Sequence, residues 1–147
     1  MIKKFTDDRG DFVLFESENC DQVNVVTNHK QYTFRGLHYQ EGEWSQQKTV
    51  KIIQGEVLDF LYDPITKELR IYRLDKNSEP LIIERKYAHG YLTLKEHTIF
   101  TYAVQGEYNP EAERSIVYDT IPELKAIVKS FDTYAPYAIS DKDKNGK

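Results

Sequence analysis

Short alternating segments, each closed by a turn residue, run through most of this chain and constrain its fold more than any other feature. Val23–Thr27, Tyr32–Tyr39, Lys48–Ile53, Val57–Tyr62, Leu69–Leu74, Leu81–Glu84, Gly90–Leu94 and Thr98–Val104 each read as a strand, because a period of two matches the alternation of side chains along a pleated backbone. Gln54-Gly55 and Asp63-Pro64 interrupt the series. Glycine and proline supply turn geometry that a strand interior resists, so this spacing predicts consecutive hairpins. Eleven tyrosines and seven phenylalanines fit the same class, since aromatic side chains favour a half-buried pleated surface. Only Ile121–Lys129 has helical spacing, with Leu124 and Val128 on one face and Lys125 and Lys129 on another. The expected architecture is an all-β sandwich or barrel with little helix. A chain of 147 residues supplies one core and not two, so residues 1–147 are read as one domain. The polar tail, DKDKNGK, is expected to be partly mobile.

Composition narrows the function. Hydrophobic residues make up 39% and charged residues 30% of the chain, a soluble globular balance. A net charge of -4 argues against a nucleic-acid partner, whose phosphates call for a basic excess, but leaves room for a local basic pocket holding one small anion. No apolar run approaches the ~20 residues that cross a bilayer, so no membrane role is expected. The opening MIKKFTDDRG lacks the apolar centre of a signal peptide, and the expected compartment is the cytoplasm. Cys20 stands alone, which excludes an intramolecular disulfide and a cysteine-rich metal site.

Strand parity then singles out chemistry. In Lys48–Ile52 the alternation places Lys48 with Val50 and Ile52, so a cation shares a face with core residues. In the next strand Val57, Asp59 and Leu61 share a face, which brings a second charge inward. A lysine that buries only its stem at a barrel rim would give the same pattern. His38, Lys48, His89 and Tyr102 come from separate strands, and together they would line the interior of a small barrel able to hold one ligand. Arg35 and His38 fall on opposite faces of a regular strand. Both reach one cavity only if Gly36 or its neighbour makes a bulge.

The motifs DDRGDF, FRGLHYQ, QQKTVKIIQGEVLDFLYD, YAHGYLTL, YNPEAERSIVYD and ISDKD occur in that order along nearly the whole chain. With them the sequence resembles the dTDP-4-dehydrorhamnose 3,5-epimerase family, enzymes of the cupin fold, a jelly-roll barrel. The resemblance implies an isomerase acting on a nucleotide-linked 4-keto-6-deoxy sugar in deoxysugar and cell-surface polysaccharide biosynthesis. It implies that His38 is the base, Asp143 its orienting carboxylate, Tyr102 the opposing acid and Lys48 the cation on the enolate oxygen. Asp141 is the alternative to Asp143. Arg35 and Arg9 would meet the nucleotide diphosphate, with Arg9 serving its own or a neighbouring subunit. His89 would hydrogen-bond the sugar or its oxyanion, and Asn28, Gln40 and Tyr108 would complete the substrate-binding set. The family is metal-free, uses no cofactor and is dimeric, which makes a nucleotide diphosphate sugar and a second copy of the chain the implied partners.

The chemistry asks for such a set on its own terms. A C–H beside a ketone is weakly acidic, and its removal is eased when a base takes the proton while a cation stabilises the enolate oxygen. Inversion then needs a donor on the other face. A carboxylate beside the histidine fixes the tautomer and favours the imidazolium that forms. Two other readings remain open in the sequence. One is a metal-dependent cupin isomerase or oxygenase built on His38, His89 and Glu41, although no histidine-x-histidine pair is present and Lys48 would set a cation where the metal belongs. The other is a sugar-binding cupin without catalysis. The nucleotide, the sugar and the choice of C3, C5 or both are also open.

Overall fold

A computed structural model of the protein describes residues 2–17, 20–132 and 138–145. Among them the elements in chain order are β1 (Ile2–Asp7), β2 (Gly10–Ser17), β3 (Cys20–Asn28), β4 (Thr33–Gln40), β5 (Gln47–Gln54), β6 (Glu56–Tyr62), β7 (Leu69–Asp75), β8 (Leu81–Ile83), β9 (Ala88–Thr93), β10 (Thr98–Gln105), β11 (Glu113–Ser115), α1 (Pro122–Asp132), β12 (Ala138–Ile139) and α2 (Asp141–Asn145). The first sheet runs β1-β2-β3-β10-β5-β8 and the second β11-β4-β9-β6-β7, with β12 beside β4. All pairings are antiparallel except that of β12 with β4.

The eight expected strands are present, and the turn around Asp63-Pro64 closes a β6–β7 hairpin. The series of consecutive hairpins is not. β5 and β6, joined at Gln54-Gly55, lie in different sheets, so that turn carries the chain across the barrel. β1 and β2 lie outside the eight expected strands; on β1 Lys4 pairs with Asp11, Thr6 bonds the same carboxylate and Phe5 is exposed.

Alternation sorts the second sheet's side chains between two cores. Val57 and Leu61 of β6 and Tyr91 of β9 pack with Val50 and Ile52 of β5 and Phe100 of β10 between the sheets. Phe60, Tyr62, Ala88 and Leu92 point the other way and meet Leu124 and Val128 of α1. β9 is therefore buried along its whole length. The expected Ile121–Lys129 helix is α1. Pro122 opens it with a φ already suited to a first turn, and Glu123 and Lys129 lie at the ends where the helix dipole favours their charges. Burying its apolar stripe stabilises the fold by roughly 1.5–3 kcal/mol for each full aliphatic side chain.

The bulge required by the parity of β4 is found. The β4–β9 register pairs Arg35 with Tyr91 and His38 with His89, so two residues of β4 stand against one of β9. Gly36 has φ +117, and the peptide after it is cis. A Cβ on Gly36 would lie 2.5 Å from Gly90 Cα, and one on Gly90 would lie 2.7 Å from the Arg35 carbonyl oxygen. Two glycines thus let the strands approach, and the extra residue turns both Arg35 and His38 inward.

Candidate active site

The second sheet supplies one wall of the site. His38 Nε2 lies 2.6 Å from Asp143 Oδ1, and the Gly36 N–H donates to Asp143 Oδ2 at 3.1 Å. Asp143 is buried in α2 and accepts these bonds because the tail folds back on β4. The polar stretch is helical over Asp141–Asn145, which leaves its central carboxylate 3% exposed. The side chain of Asp141 lies outside the described residues. Burial acts to raise the Asp143 pKa, but the hydrogen bond and charge of His38, the Gly36 N–H and Arg9 outweigh it and hold the carboxyl below its ordinary range. With Nε2 committed to the carboxylate, Nδ1 is the nitrogen left to act as base.

A second histidine repeats the arrangement. His89 Nε2 lies 2.8 Å from Asp59 Oδ2. Asp59 is fully buried, and burial raises its pKa while the charge of His89, its hydrogen bond and Lys48 act to lower it. Asp59 was not among the expected site residues. The signal that could have found it was its parity with Val57 and Leu61.

The first sheet supplies the facing wall. Lys48 on β5 and Tyr102 on β10 extend inward, with the Lys48 ammonium 5.8 Å from the centre of the Tyr102 ring. Desolvation lowers the Lys48 pKa to about 8, against the opposing pull of Asp59 and Glu113. The ammonium is therefore the main form at neutral pH, and it loses its proton readily above that. Burial, with Tyr91 adding to it, raises the Tyr102 pKa well above its ordinary value, while a hydrogen bond with Asn24 and the charge of Arg35 act in the other direction. Tyr102 holds its proton across the neutral range.

Between the walls lies a cavity of about 180 Å³ lined by Arg9, Phe12, Val26, Arg35, His38, Lys48, His89, Gly90, Tyr91, Tyr102, Ser140 and Asp143. His38, Lys48, Tyr102 and Phe12 also line a second chamber of about 410 Å³, with Asn24, Tyr39, Tyr108 and Glu113 among its other walls. On the other side Arg9, Arg35 and Phe12 border a third hollow of about 220 Å³. The four expected catalytic side chains thus line one space, which the two arginines line as well.

The remaining expected residues divide. Arg9 lines the cavity of its own chain and is held by Asp7, its Nη2 2.5 Å from Oδ2. Asn28 is fully buried and lies outside the cavity linings; its Oδ1 accepts from Arg35 Nε at 2.8 Å, so it orients the arginine. Gln40 borders the larger chamber, but its amide donates to the carbonyls of Trp44 and Glu107 and accepts from the Asn109 N–H. It braces the loops around the site. Tyr108 borders the same chamber, is exposed and donates to Glu113 at 3.3 Å. Glu41, the carboxylate needed by the metal-dependent reading, pairs with Arg114 at the surface and lines neither chamber. Among the described residues no three His, Cys, Asp or Glu side chains converge as a metal site would need.

Two facing sheets that enclose a small cavity, with histidine–carboxylate pairs on one wall and a lysine and a tyrosine on the other, define a cupin-like barrel built for proton transfer on a small molecule. The chain belongs to the dTDP-4-dehydrorhamnose 3,5-epimerase family, whose model matches residues 1–147. It is 35% identical to the dTDP-4-dehydrorhamnose 3,5-epimerase of Salmonella typhimurium over 80% of this chain and 73% of that protein. It is also 35% identical to the enzyme of the same name from Pseudomonas aeruginosa, over 97% of this chain and 85% of that protein. The crystal structure of dTDP-4-dehydrorhamnose 3,5-epimerase from Bacillus anthracis with TDP and PPi bound superposes with a TM-score of 0.72 at 27% identity, covering 99% of this chain and 90% of that one. That from Sulfolobus tokodaii gives 0.70 at 30% identity, covering 97% and 84%.

Proposed function

We propose that this protein epimerises a nucleotide-linked 4-keto-6-deoxy sugar beside its ketone, at C3, C5 or both, in deoxysugar biosynthesis. One observation carries the reading: His38 with Asp143 and Tyr102 with Lys48 stand on opposite walls of the same cavity. A sugar ring seated between the walls has a base against one face and an acid against the other. His38 Nδ1 takes the proton from a carbon next to the ketone. The C–H pair becomes the enolate double bond, the carbonyl pair moves to oxygen, and the Lys48 ammonium stabilises the charge that develops there. The Tyr102 hydroxyl then delivers its proton to the opposite face of that carbon, which inverts it, and solvent restores both groups.

Arg35, aimed by Asn28, and Arg9, held by Asp7, are assigned to the diphosphate, since planar guanidinium groups match phosphate oxygens. The larger chamber with Tyr39, Tyr108 and Phe12 offers aromatic surface for the rest of the nucleotide. A homodimer in the cytoplasm fits this reading. Family membership supports it, as do Phe5, 58% exposed at the rim of the larger chamber, and the absence, among the described residues, of a helix long and apolar enough to cross a membrane. The test is an NMR screen of dTDP-, GDP-, CDP- and UDP-linked 4-keto-6-deoxy sugars in deuterated water. Wash-in of deuterium beside the ketone of at least one is expected, and none in any would defeat the reading.

A further inference from the structure

Arg35 and Tyr91 are paired across β4 and β9, and cross-strand partners leave the same face of a sheet with Cβ atoms about 5 Å apart. Both side chains line the small cavity, as does Arg9. The Tyr91 ring is 4% exposed and lies flat on Phe100, with centroids 4.2 Å apart and planes within 5°. Stacking accounts for the ring. It does not account for the hydroxyl, because a polar group in a buried position costs free energy unless it is hydrogen-bonded.

The bonds of that hydroxyl are half accounted for. Asn28 Nδ2 donates to Tyr91 Oη at 3.3 Å and to the Thr98 carbonyl at 3.2 Å, which uses both amide hydrogens. Asn28 Oδ1 accepts from Arg35 Nε at 2.8 Å. The amide is thus anchored at both ends without the Tyr91 hydrogen, whose nearest acceptor, Asn28 Oδ1, lies at 3.5 Å. A well-made O–H···O bond is shorter, about 2.5–3.0 Å. Burial raises the Tyr91 pKa, with the charge of Arg35, the Asn28 hydrogen bond and the charge of Arg9 acting in the other direction, so the phenol keeps its proton at neutral pH and remains a donor.

We propose that the Tyr91 hydroxyl donates to the diphosphate of the sugar nucleotide, as a third donor beside Arg35 and Arg9. This inference rests on the epimerase reading, which supplies the nucleotide diphosphate. Each phosphate of a diphosphate esterified at both ends carries a single negative charge, and the two guanidinium groups balance the pair. A neutral phenol adds a hydrogen bond without adding a further positive charge to a cavity that already holds Lys48. Bonds to an ionised acceptor are shorter and stronger than neutral ones, so a phosphate oxygen takes the hydrogen from its long contact with the amide.

The experiment titrates dTDP, which carries the diphosphate and no sugar, into the parent, Tyr91→Phe, Asn28→Ala and the double variant by calorimetry, and measures KM for a dTDP-linked 4-keto-6-deoxy sugar alongside. Tyr91→Phe keeps the stacked ring and removes only the oxygen. Its Kd for dTDP is expected to rise about 10-fold, KM by a similar factor, and the same factor is expected on top of Asn28→Ala. Neither constant depends on how much of each variant folds. An unchanged Kd in Tyr91→Phe overturns the inference. So does a rise in KM without a rise in Kd, which sets the hydroxyl against the sugar, and so does a rise that vanishes in the Asn28→Ala background, which makes the hydroxyl a brace for Asn28. A parent that binds no dTDP overturns it as well. A parent that binds dTDP with the expected dependence on Tyr91 but turns over no 4-keto sugar defeats the epimerase reading and leaves the diphosphate contact standing.

Discussion

His38 and Asp143 are 105 residues apart in the chain and meet at 2.6 Å, which brings the short helix α2 to the wall of the cavity. Asp143→Asn keeps the size of the side chain and removes the charge that orients the imidazole. Its kcat/KM is expected to fall by roughly 10²-fold or more, the scale of general-base catalysis. The variant also tests linkage. Asp143 is held below its ordinary pKa, burial working against this and His38 for it, so its contribution to stability is complete above the ordinary carboxylate value and is lost as pH falls through the lower folded one. Acid denaturation curves of the parent are expected to show that loss, and those of Asp143→Asn to lack it.

Lys48 has its pKa lowered to about 8 by burial, and the proposed chemistry needs its charged form. Activity is expected to decline as pH rises through about 8. Stability moves the other way: the unfolded chain keeps the lysine proton up to the ordinary value of 10.5 while the folded chain gives it up earlier, so stability from this group rises between about 8 and 10.5. Lys48→Arg, which does not titrate in this range, is expected to lose the alkaline limb. A limb unchanged in Lys48→Arg assigns it to another group.

Asn28 acts on Arg35 at 2.8 Å. Asn28→Ala is expected to raise KM for the sugar nucleotide about 10-fold with kcat little changed, since a hydrogen bond to a charged group is worth roughly 1.5–3 kcal/mol and this one bears on binding. Steady-state kinetics on the folded variant decide it, and a fall confined to kcat counts against the assignment.

Leu124 lies fully buried between α1 and the second sheet, on the side of that sheet away from the cavity. Leu124→Ala is expected to cost about 2–5 kcal/mol of stability, read by urea denaturation, with KM unchanged for the protein that remains folded.

The barrel was legible in the chain because alternation is local: parity alone turned Lys48 and Asp59 inward, and both are inward. The same parity argument demanded a bulge near Gly36, and the register shift lies between Arg35 and His38. What local pattern does not carry is which sheet a strand joins. Gln54-Gly55 reads as a hairpin turn, yet its strands part into different sheets because β5 pairs with β10 and β6 with β9, strands distant in sequence. The tail's contacts lie beyond local pattern for a related reason. DKDKN is polar throughout, and its Asp143 meets His38 and the Gly36 N–H, partners distant in sequence. Asn28 and Gln40 were expected to meet the substrate, but Asn28 lies outside the cavity linings and the two amides turn to Arg35 and to backbone groups, a distinction of rotamer that sequence does not express.

The central claim is that protons leave one face of the sugar and return on the other, with His38 and Tyr102 as the two groups. The most direct measurement compares deuterium wash-in with inversion in His38→Asn and Tyr102→Phe, by NMR on the same 4-keto-6-deoxy sugar nucleotide. In His38→Asn both are expected to fall together, by roughly 10²-fold or more, at the carbon His38 serves. In Tyr102→Phe the enolate still forms, so exchange is expected to outlive inversion. Near-normal exchange at both carbons in His38→Asn, or a ratio of exchange to inversion in Tyr102→Phe equal to that of the parent, would contradict the account.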